Sequence, residues 1–272
     1  HPLSELSRII RAGAKEEKVV KKLAKQTARI DKEKLSENDH RILGPKLGLF
    51  SFQEVGPGTV FFHDKGMLIR NKLIEFWRKE HVKHGYQEIN TPIILDKSLW
   101  QVSGHWEHYK DLMFFTKDED REFALKPMNC PGAILVYKNS YRSYRELPLR
   151  LAELGLVNRN ELSGVLAGLF RLRSFTQDDA HIFVTEEQVE EEIERVVKLT
   201  DYFYKKFGFE YHVELSTKPE KSMGTEEQWK KAEKGLEGAL KKVKLKYKIN
   251  KGEGAFYGPK IDFHIKDALG RS

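Results

Sequence analysis

Apolar residues recur at helical spacing over residues 66–84, where Ile69, Leu73, Phe76 and Trp77 share one face and Gly85 follows as a stop. The spacing predicts a helix. From 86 to 95 the pattern becomes extended. Pro92 interrupts it and removes a ladder donor, so this strand belongs at an edge or an interface. Thr185 followed by Gln188 forms a capping-box pattern and opens a second helix. Its stripe is Val189, Ile193, Val196, Val197 and Phe203, and Gly208 closes it. Residues 209–215 then alternate as a strand. Thr225, again with Gln three residues on, opens a third helix with Trp229, Ala232, Leu236, Leu240 and Val243 inward. Strands are expected at 245–249 and 255–265. The connections read as hairpin-like or helical, without regular βαβ alternation. The expected fold class is α+β, a mostly antiparallel sheet with helices packed on it. Residues 1–40 carry polar and basic residues at helical spacing and read as a basic helical arm or linker ahead of a domain over 41–272.

Composition narrows the class. Of 272 residues, 39% are hydrophobic and 11% aromatic, enough for a real core. A disordered chain, a collagen-like fibre and a disulfide scaffold are excluded. No apolar stretch approaches the ~20 residues that span a bilayer, and the N-terminus lacks a signal peptide's apolar run. One cysteine, Cys130, forbids an internal disulfide and suits a reducing compartment, so a soluble cytoplasmic protein without a membrane partner is expected. Lys+Arg 48 against Asp+Glu 41 leaves +7, which fits a polyanion such as nucleic acid. The signs are interspersed, however, and the basic run 15–34 reads as a solvated amphipathic helix more readily than as a dedicated nucleic-acid arm.

Candidate chemistry concentrates in a few segments. There is no Walker A sequence, and Gly252-Glu-Gly254-Ala-Phe-Tyr-Gly258 lacks the spacing of a dinucleotide fingerprint. Phosphate handling must therefore come from side chains. Residues 170–183, taken as extended, put Arg171, Arg173, Phe175, Gln177, Asp179 and His181 on one face. Two cations, an aromatic plate, an amide, a carboxylate and an imidazole meet there. The segment is long for one strand, so a bend near Asp178 is expected. Pattern alone leaves open whether this face binds a ligand or is the wet side of an amphipathic strand. Arg159-Asn-Glu161 lies ten residues before Arg171, which suggests a hairpin with a long loop. An Arg pair suits phosphate, and Glu161 could accept from an exocyclic amine. A cross-strand ion pair explains the same residues. Cys130 sits in Lys126-Pro-Met-Asn-Cys-Pro-Gly132, a rigid turn. A lone Cys is usually a small buried hydrophobe, and no short ligand motif joins it to His181.

In sum these residues resemble the class II aminoacyl-tRNA synthetases. Arg159-Asn-Glu161 matches their motif 2, and the 66–84 helix with the Pro92 strand resembles motif 1. Ser103-Gly-His-Trp106, Lys126 to Gly132, Phe175-Thr-Gln-Asp-Asp-Ala-His181 and Gly252 to Lys260 look like the threonyl branch of that family. The resemblance runs from about Asp39 to the last residue. It implies a catalytic domain on a six- to seven-stranded antiparallel sheet. Such enzymes join threonine to ATP, release pyrophosphate, and pass threonine to the terminal ribose of tRNA(Thr).

By position, the resemblance gives Arg159 the α-phosphate and the threonine carboxylate, and Glu161 the adenine amino group. Phe175 would stack on adenine and Arg171 would hold the outer phosphates. The backbone near Met128 would lie beside the adenylate. Cys130 and His181 would bind Zn²⁺ with a second His, and zinc would take the substrate's amino and hydroxyl groups. Asp179 would accept from that hydroxyl. Gln177, Tyr257 and Lys260 complete the substrate-binding set, and His105 would assist transfer to tRNA. Mg²⁺ is implied with ATP, and a homodimer through motif 1. The chain stops before the third zinc ligand, motif 3 and the anticodon-binding domain, so the catalytic domain over 41–272 is expected to be C-terminally incomplete. The residues before Asp39 are too few for an editing domain, which implies a separate trans-editing protein for seryl-tRNA. The alternative is a non-catalytic synthetase-like module that binds RNA or a partner. Seryl and prolyl relatives do not fit the Cys130 and His181 pair.

Overall fold

A computed structural model describes residues 35–266 and residue 270. The arm expected over 1–40 lies outside them except for its last six residues. There the Asp39 side chain accepts from the Arg41 amide and caps helix α1 (His40–Lys46). The chain continues through β1 (Phe50–Ser51), β2 (Phe61–Phe62), α2 (Asp64–Lys83), β3 (Gln87–Glu88), β4 (Ile94–Asp96), α3 (Lys97–Val102) and α4 (His105–Tyr109). Next come β5 (Phe114–Asp118), β6 (Arg121–Leu125), α5 (Cys130–Lys138), β7 (Leu149–Asn158) and β8 (Ser174–Phe183). The last elements are α6 (Val189–Phe207), β9 (Tyr211–Ser216), α7 (Glu226–Lys242), β10 (Tyr247–Asn250) and β11 (Lys260–Ile265).

The α+β class is as expected, but the strands do not form one six- or seven-stranded sheet. Among the described residues they divide into the pair β1-β2 and three three-stranded sheets, β3-β7-β8, β4-β6-β5 and β10-β9-β11. Five pairings are antiparallel and two, β3 with β7 and β10 with β9, are parallel. The second parallel pair is a single βαβ unit within an architecture that lacks regular βαβ alternation, as expected. Strands β9 and β10 run the same way because α7 carries the chain back between them.

The expected strand over 86–95 is two strands in two sheets. Pro92 lacks the N–H needed to continue a ladder. Beside it, the Thr91 amide donates to the Glu153 side chain instead, at 2.8 Å. The chain crosses there from the β7 sheet to the β6 sheet. Residues 255–265 likewise begin pairing as a strand only at Lys260, after Pro259 and a turn bridged by Ala255 and Gly258.

Both capping boxes form. Thr225 and Gln228 satisfy each other's backbone donors at the start of α7. Thr185 and Gln188 do so in a short 3₁₀ turn before α6, which ends at Gly208 with φ 71°. The two helices cover one face of the β9 sheet. Val197, Val213, Leu215 and Leu240 are buried there, with Ile193, Leu236, Ile261 and Phe263 against them. A second core of Trp100, Met113 and Ala124 lies under β6. Helix α2 departs from its expected stripe. Trp77 is buried, but Ile69 is 49% and Leu73 48% exposed. No helix among the described residues is long and apolar enough to cross a membrane.

Candidate active site

Strands β7 and β8 form a ten-residue antiparallel ladder, from Leu149↔Phe183 to Asn158↔Ser174. The long loop 159–173 joins them, as the hairpin reading expects. The expected bend near Asp178 is absent, because every residue of β8 has a register partner on β7. Alternation therefore runs unbroken and sorts the strand into two faces. On the even face the Trp77 indole N–H donates to Asp178, His81 Nε2 lies 3.4 Å from the same carboxylate, and Arg70 reaches Thr176 at 3.4 Å. That face is tied to α2. The odd face carries Phe175, Gln177, Asp179 and His181.

Asn129 organises the odd face. Its amide Nδ2 donates to Asp179 Oδ2 at 2.9 Å and to Gln177 Oε1 at 3.3 Å. It sits immediately before α5, and its side chain does not cap that helix. A Cβ on Gly155 would fall 2.2–2.4 Å from the Asn129 amide, so only glycine fits on β7 opposite Gln177. Asn129 sets Cys130 at the first turn of α5, on the side that Asp179 faces. Burial, reinforced by the Asp179 carboxylate, pushes the Cys130 thiol up to about 11. The thiol is therefore protonated at neutral pH and is no nucleophile there.

Beneath the half-buried Asp179, its cross-strand neighbour Glu153 is buried. Two carboxylates side by side repel. Lys126 resolves this. Its ammonium donates to Glu153 Oε1 at 2.8 Å, to Thr91 Oγ1 at 2.7 Å and to the Thr91 carbonyl at 3.2 Å. All three of its donors are thus used. The network pins the turn 126–129 to β7, and with it Met128 and Asn129.

At the other end of the odd face, Arg159 lies over the Phe175 ring at 5.1 Å and over Tyr109 at 5.7 Å, with Nε donating to the Pro127 carbonyl at 3.2 Å. Glu161 is 8% exposed and accepts from Arg171 Nε and Nη2 at 3.1 and 3.0 Å. Arg173 turns into the loop and donates to the Glu161 and Pro57 carbonyls and to Ser163. Tyr257 senses Cys130, Asp179 and Arg159 electrostatically, with burial as the largest cause of its raised pKa. His105 is 4% exposed. Its Nδ1 is 2.9 Å from Ser103 Oγ and its Nε2 3.2 Å from Met128 Sδ. Burial lowers its pKa, which keeps the ring neutral. Lys260 forms an ion pair with Asp262 at 2.6 Å on β11.

The structure thus joins Asn129, Gln177, Asp179 and Cys130 at one end of the strand and Arg159 with Phe175 at the other. Asn129, Tyr109, Lys126 and Glu153 were not singled out by the sequence. Asn129 and Lys126 left a signal, since both stand in the rigid turn Lys126 to Gly132 around Cys130. The surface offers a cation on an aromatic plate, then an amide pair, then a carboxylate beside a thiol. That sequence of groups suits an anion with a planar ring at one end and a small polar molecule at the other.

The match to the family model described as tRNA synthetase class II core domain (G, H, P, S and T) covers residues 113–272, and the chain belongs to that family. Its similarity within the family lies with the threonine enzymes. It is 66% identical over 240 residues to the threonine–tRNA ligase of Caldanaerobacter subterraneus subsp. tengcongensis, covering 88% of this chain. The chain spans 37% of that relative's length. The crystal structure of the RNA binding domain of threonyl-tRNA synthetase from Cryptosporidium parvum Iowa II superposes with TM-score 0.80 at 48% identity, over 86% of this chain and 58% of that one. A threonyl-tRNA synthetase, ThrRS-1, described as putative, from Aeropyrum pernix superposes with TM-score 0.75 at 35% identity, over 83% and 56%.

Proposed function

We propose that this chain is the catalytic core of a cytoplasmic threonine–tRNA ligase, which activates L-threonine with ATP and passes it to the 3′-terminal ribose of tRNA(Thr). The observation that carries the reading is the odd face of β8, with Arg159 seated on Phe175 and Asp179 held by Asn129. Arg159 offers its outer Nη atoms to the α-phosphate and the threonine carboxylate, while Pro127 fixes its Nε. Developing charge on the α-phosphate then meets a cation that need not reorient. Phe175 gives adenine a stacking surface, and Glu161 and Arg171 lie in the loop beside it for the adenine amino group and the outer phosphates. ATP enters with Mg²⁺. Gln177, Asp179 and Tyr257 line the amino-acid end, and the family resemblance adds Lys260, which is paired with Asp262 on β11. His105, neutral behind Met128, is in the state to accept a proton during transfer.

Cys130 and His181 fit zinc by donor chemistry. A thiol and an imidazole are ligands that suit this borderline-soft ion, and a metal would displace the proton that burial keeps on Cys130. Zinc bound there supplies a Lewis acid for the substrate's amino and hydroxyl groups. The exposed Leu68, Ile69 and Leu73 of α2 fit a homodimer through that helix.

The full-length enzyme is expected to exchange pyrophosphate into ATP with threonine and to lose exchange with valine by about 10⁴-fold. Valine leaves the polar groups at Asp179 unpaired. Equal exchange with both amino acids overturns the reading. Gly155→Ala is expected to raise the KM for threonine at least about tenfold, because the new methyl pushes Asn129 off Asp179. Steady-state kinetics with threonine and with ATP varied separately check this, and an unchanged threonine KM contradicts it.

A further inference from the structure

The helices cover one face of the β9 sheet, and the other face carries His212, Glu214 and Ser216 of β9 opposite His264 and Asp262 of β11. His212 and Glu214 are two residues apart on one strand, and His264 is the direct cross-strand partner of His212. The two imidazoles stack 4.7 Å apart at 9°. One carboxylate serves both rings. Glu214 Oε1 lies 3.8 Å from His212 Nε2 and Oε2 lies 3.5 Å from His264 Nε2. Among the described residues this is the one group of three His, Cys, Asp or Glu side chains whose ligand atoms all fall within 4.8 Å of one another.

Two further observations point to a ligand. His264 Nε2 is shielded from solvent and has no hydrogen-bond partner. A shielded imidazole nitrogen that makes no hydrogen bond, even with the Glu214 carboxylate 3.5 Å away, is costly, and a metal would satisfy it. Glu214 is held from behind, since Asn250 Nδ2 of β10 donates to its Oε2 at 3.0 Å. That is the outer support that orients a ligating carboxylate.

We propose that His212, Glu214 and His264 form a divalent-metal site selective for zinc-like ions, separate from Cys130 and His181. Metal–ligand bonds of about 2.0–2.2 Å set tetrahedral ligand atoms ~3.3 Å apart. The observed 3.5 and 3.8 Å run to the two different oxygens of Glu214, and the ligand atoms lie within 4.8 Å of one another, so the stacked rings turn about their Cβ–Cγ bonds to bring both Nε2 atoms onto one ion. The metal takes both Nε2 atoms and a Glu214 oxygen, and water completes a tetrahedron. Nitrogen and oxygen donors without sulfur suit zinc or cobalt(II) and disfavour copper(I).

The test uses the full chain carrying Cys130→Ser, which removes the sulfur ligand of the other candidate site. Zinc chloride is titrated against a chromophoric chelator. The Cys130→Ser protein is expected to bind one zinc per chain. Adding His264→Ala or Glu214→Gln weakens that zinc at least about tenfold, since even outer-sphere losses reach that size. Both positions face away from the α6–α7 core, and the two variants fail independently if one misfolds. Zinc is also expected to shift the Nε2 resonances of His212 and His264 in long-range nitrogen–proton spectra. In protein with Cys130 intact, cobalt(II) gives a thiolate charge-transfer band that His264→Ala leaves unchanged. No zinc binding by the Cys130→Ser protein overturns the proposal, and so does zinc affinity in both added variants equal to that of the Cys130→Ser parent.

Discussion

Arg159→Ala is expected to slow threonine-dependent pyrophosphate exchange by about 10²- to 10³-fold, with most of the loss in kcat. A preorganised donor on developing charge is worth about 3–4 kcal/mol. Arg159 meets that condition because Phe175 and Tyr109 flank its guanidinium and Pro127 accepts from its Nε. The side chain is held before substrate arrives. Arg173 carries the same charge, but it lies in the loop just before β8 begins at Ser174, and its guanidinium is spent on the Glu161 and Pro57 carbonyls and on Ser163. Arg173→Ala should therefore lose less than about tenfold. Comparable losses at the two positions, measured at saturating ATP and threonine, would show that any cation along this edge suffices.

Glu153→Ala is expected to destabilise the protein by about 3–5 kcal/mol, because it strands the Lys126 ammonium in the interior. The side chains of Lys126 and Glu153 are 1% and 3% exposed, so water cannot replace the lost partner. Lys126→Met with Glu153→Leu removes both charges and should recover most of that stability. Urea denaturation of the single and double variants gives the coupling directly. A single variant within about 1 kcal/mol of the parent contradicts the network. The double variant has its own signature. It keeps the fold but loosens the turn that carries Met128 and Asn129, so activity falls further than stability does.

The elements were legible where a local rule decided them. Thr185 and Thr225 announce helix starts through side chains that act within three residues, and both capping boxes form. The two faces of β8 were legible for the same reason, since period two needs no knowledge of neighbours. The sheet order was not. Whether β9 pairs with β10 in parallel depends on where α7 returns the chain, and no residue in β9 encodes that. The wet side of α2 was misjudged because a helical apolar stripe reports burial without naming what buries it; Ile69 and Leu73 lie on the surface of this chain. Within the site, Arg159, Phe175 and Asp179 stood out by residue type. Glu153 did not, because Leu-Ala-Glu-Leu-Gly on β7 reads as core with one stray charge. Its partner Lys126 lies 27 residues away in a different motif.

The unbroken ladder of β8 makes its length as constrained as its composition. Asp178 belongs to the α2 side and Asp179, one peptide away, to the site. A substitution at either residue disturbs one side. Inserting or deleting a single residue between 174 and 183 would rotate everything beyond it through half a turn. The carboxylate meant for Asn129 would then face Trp77, and Trp77's would face Asn129. Such a strand can drift in sequence on both sides for as long as it is never lengthened or shortened, so indels belong in the flanking loop 159–173 and after Phe183, not within it.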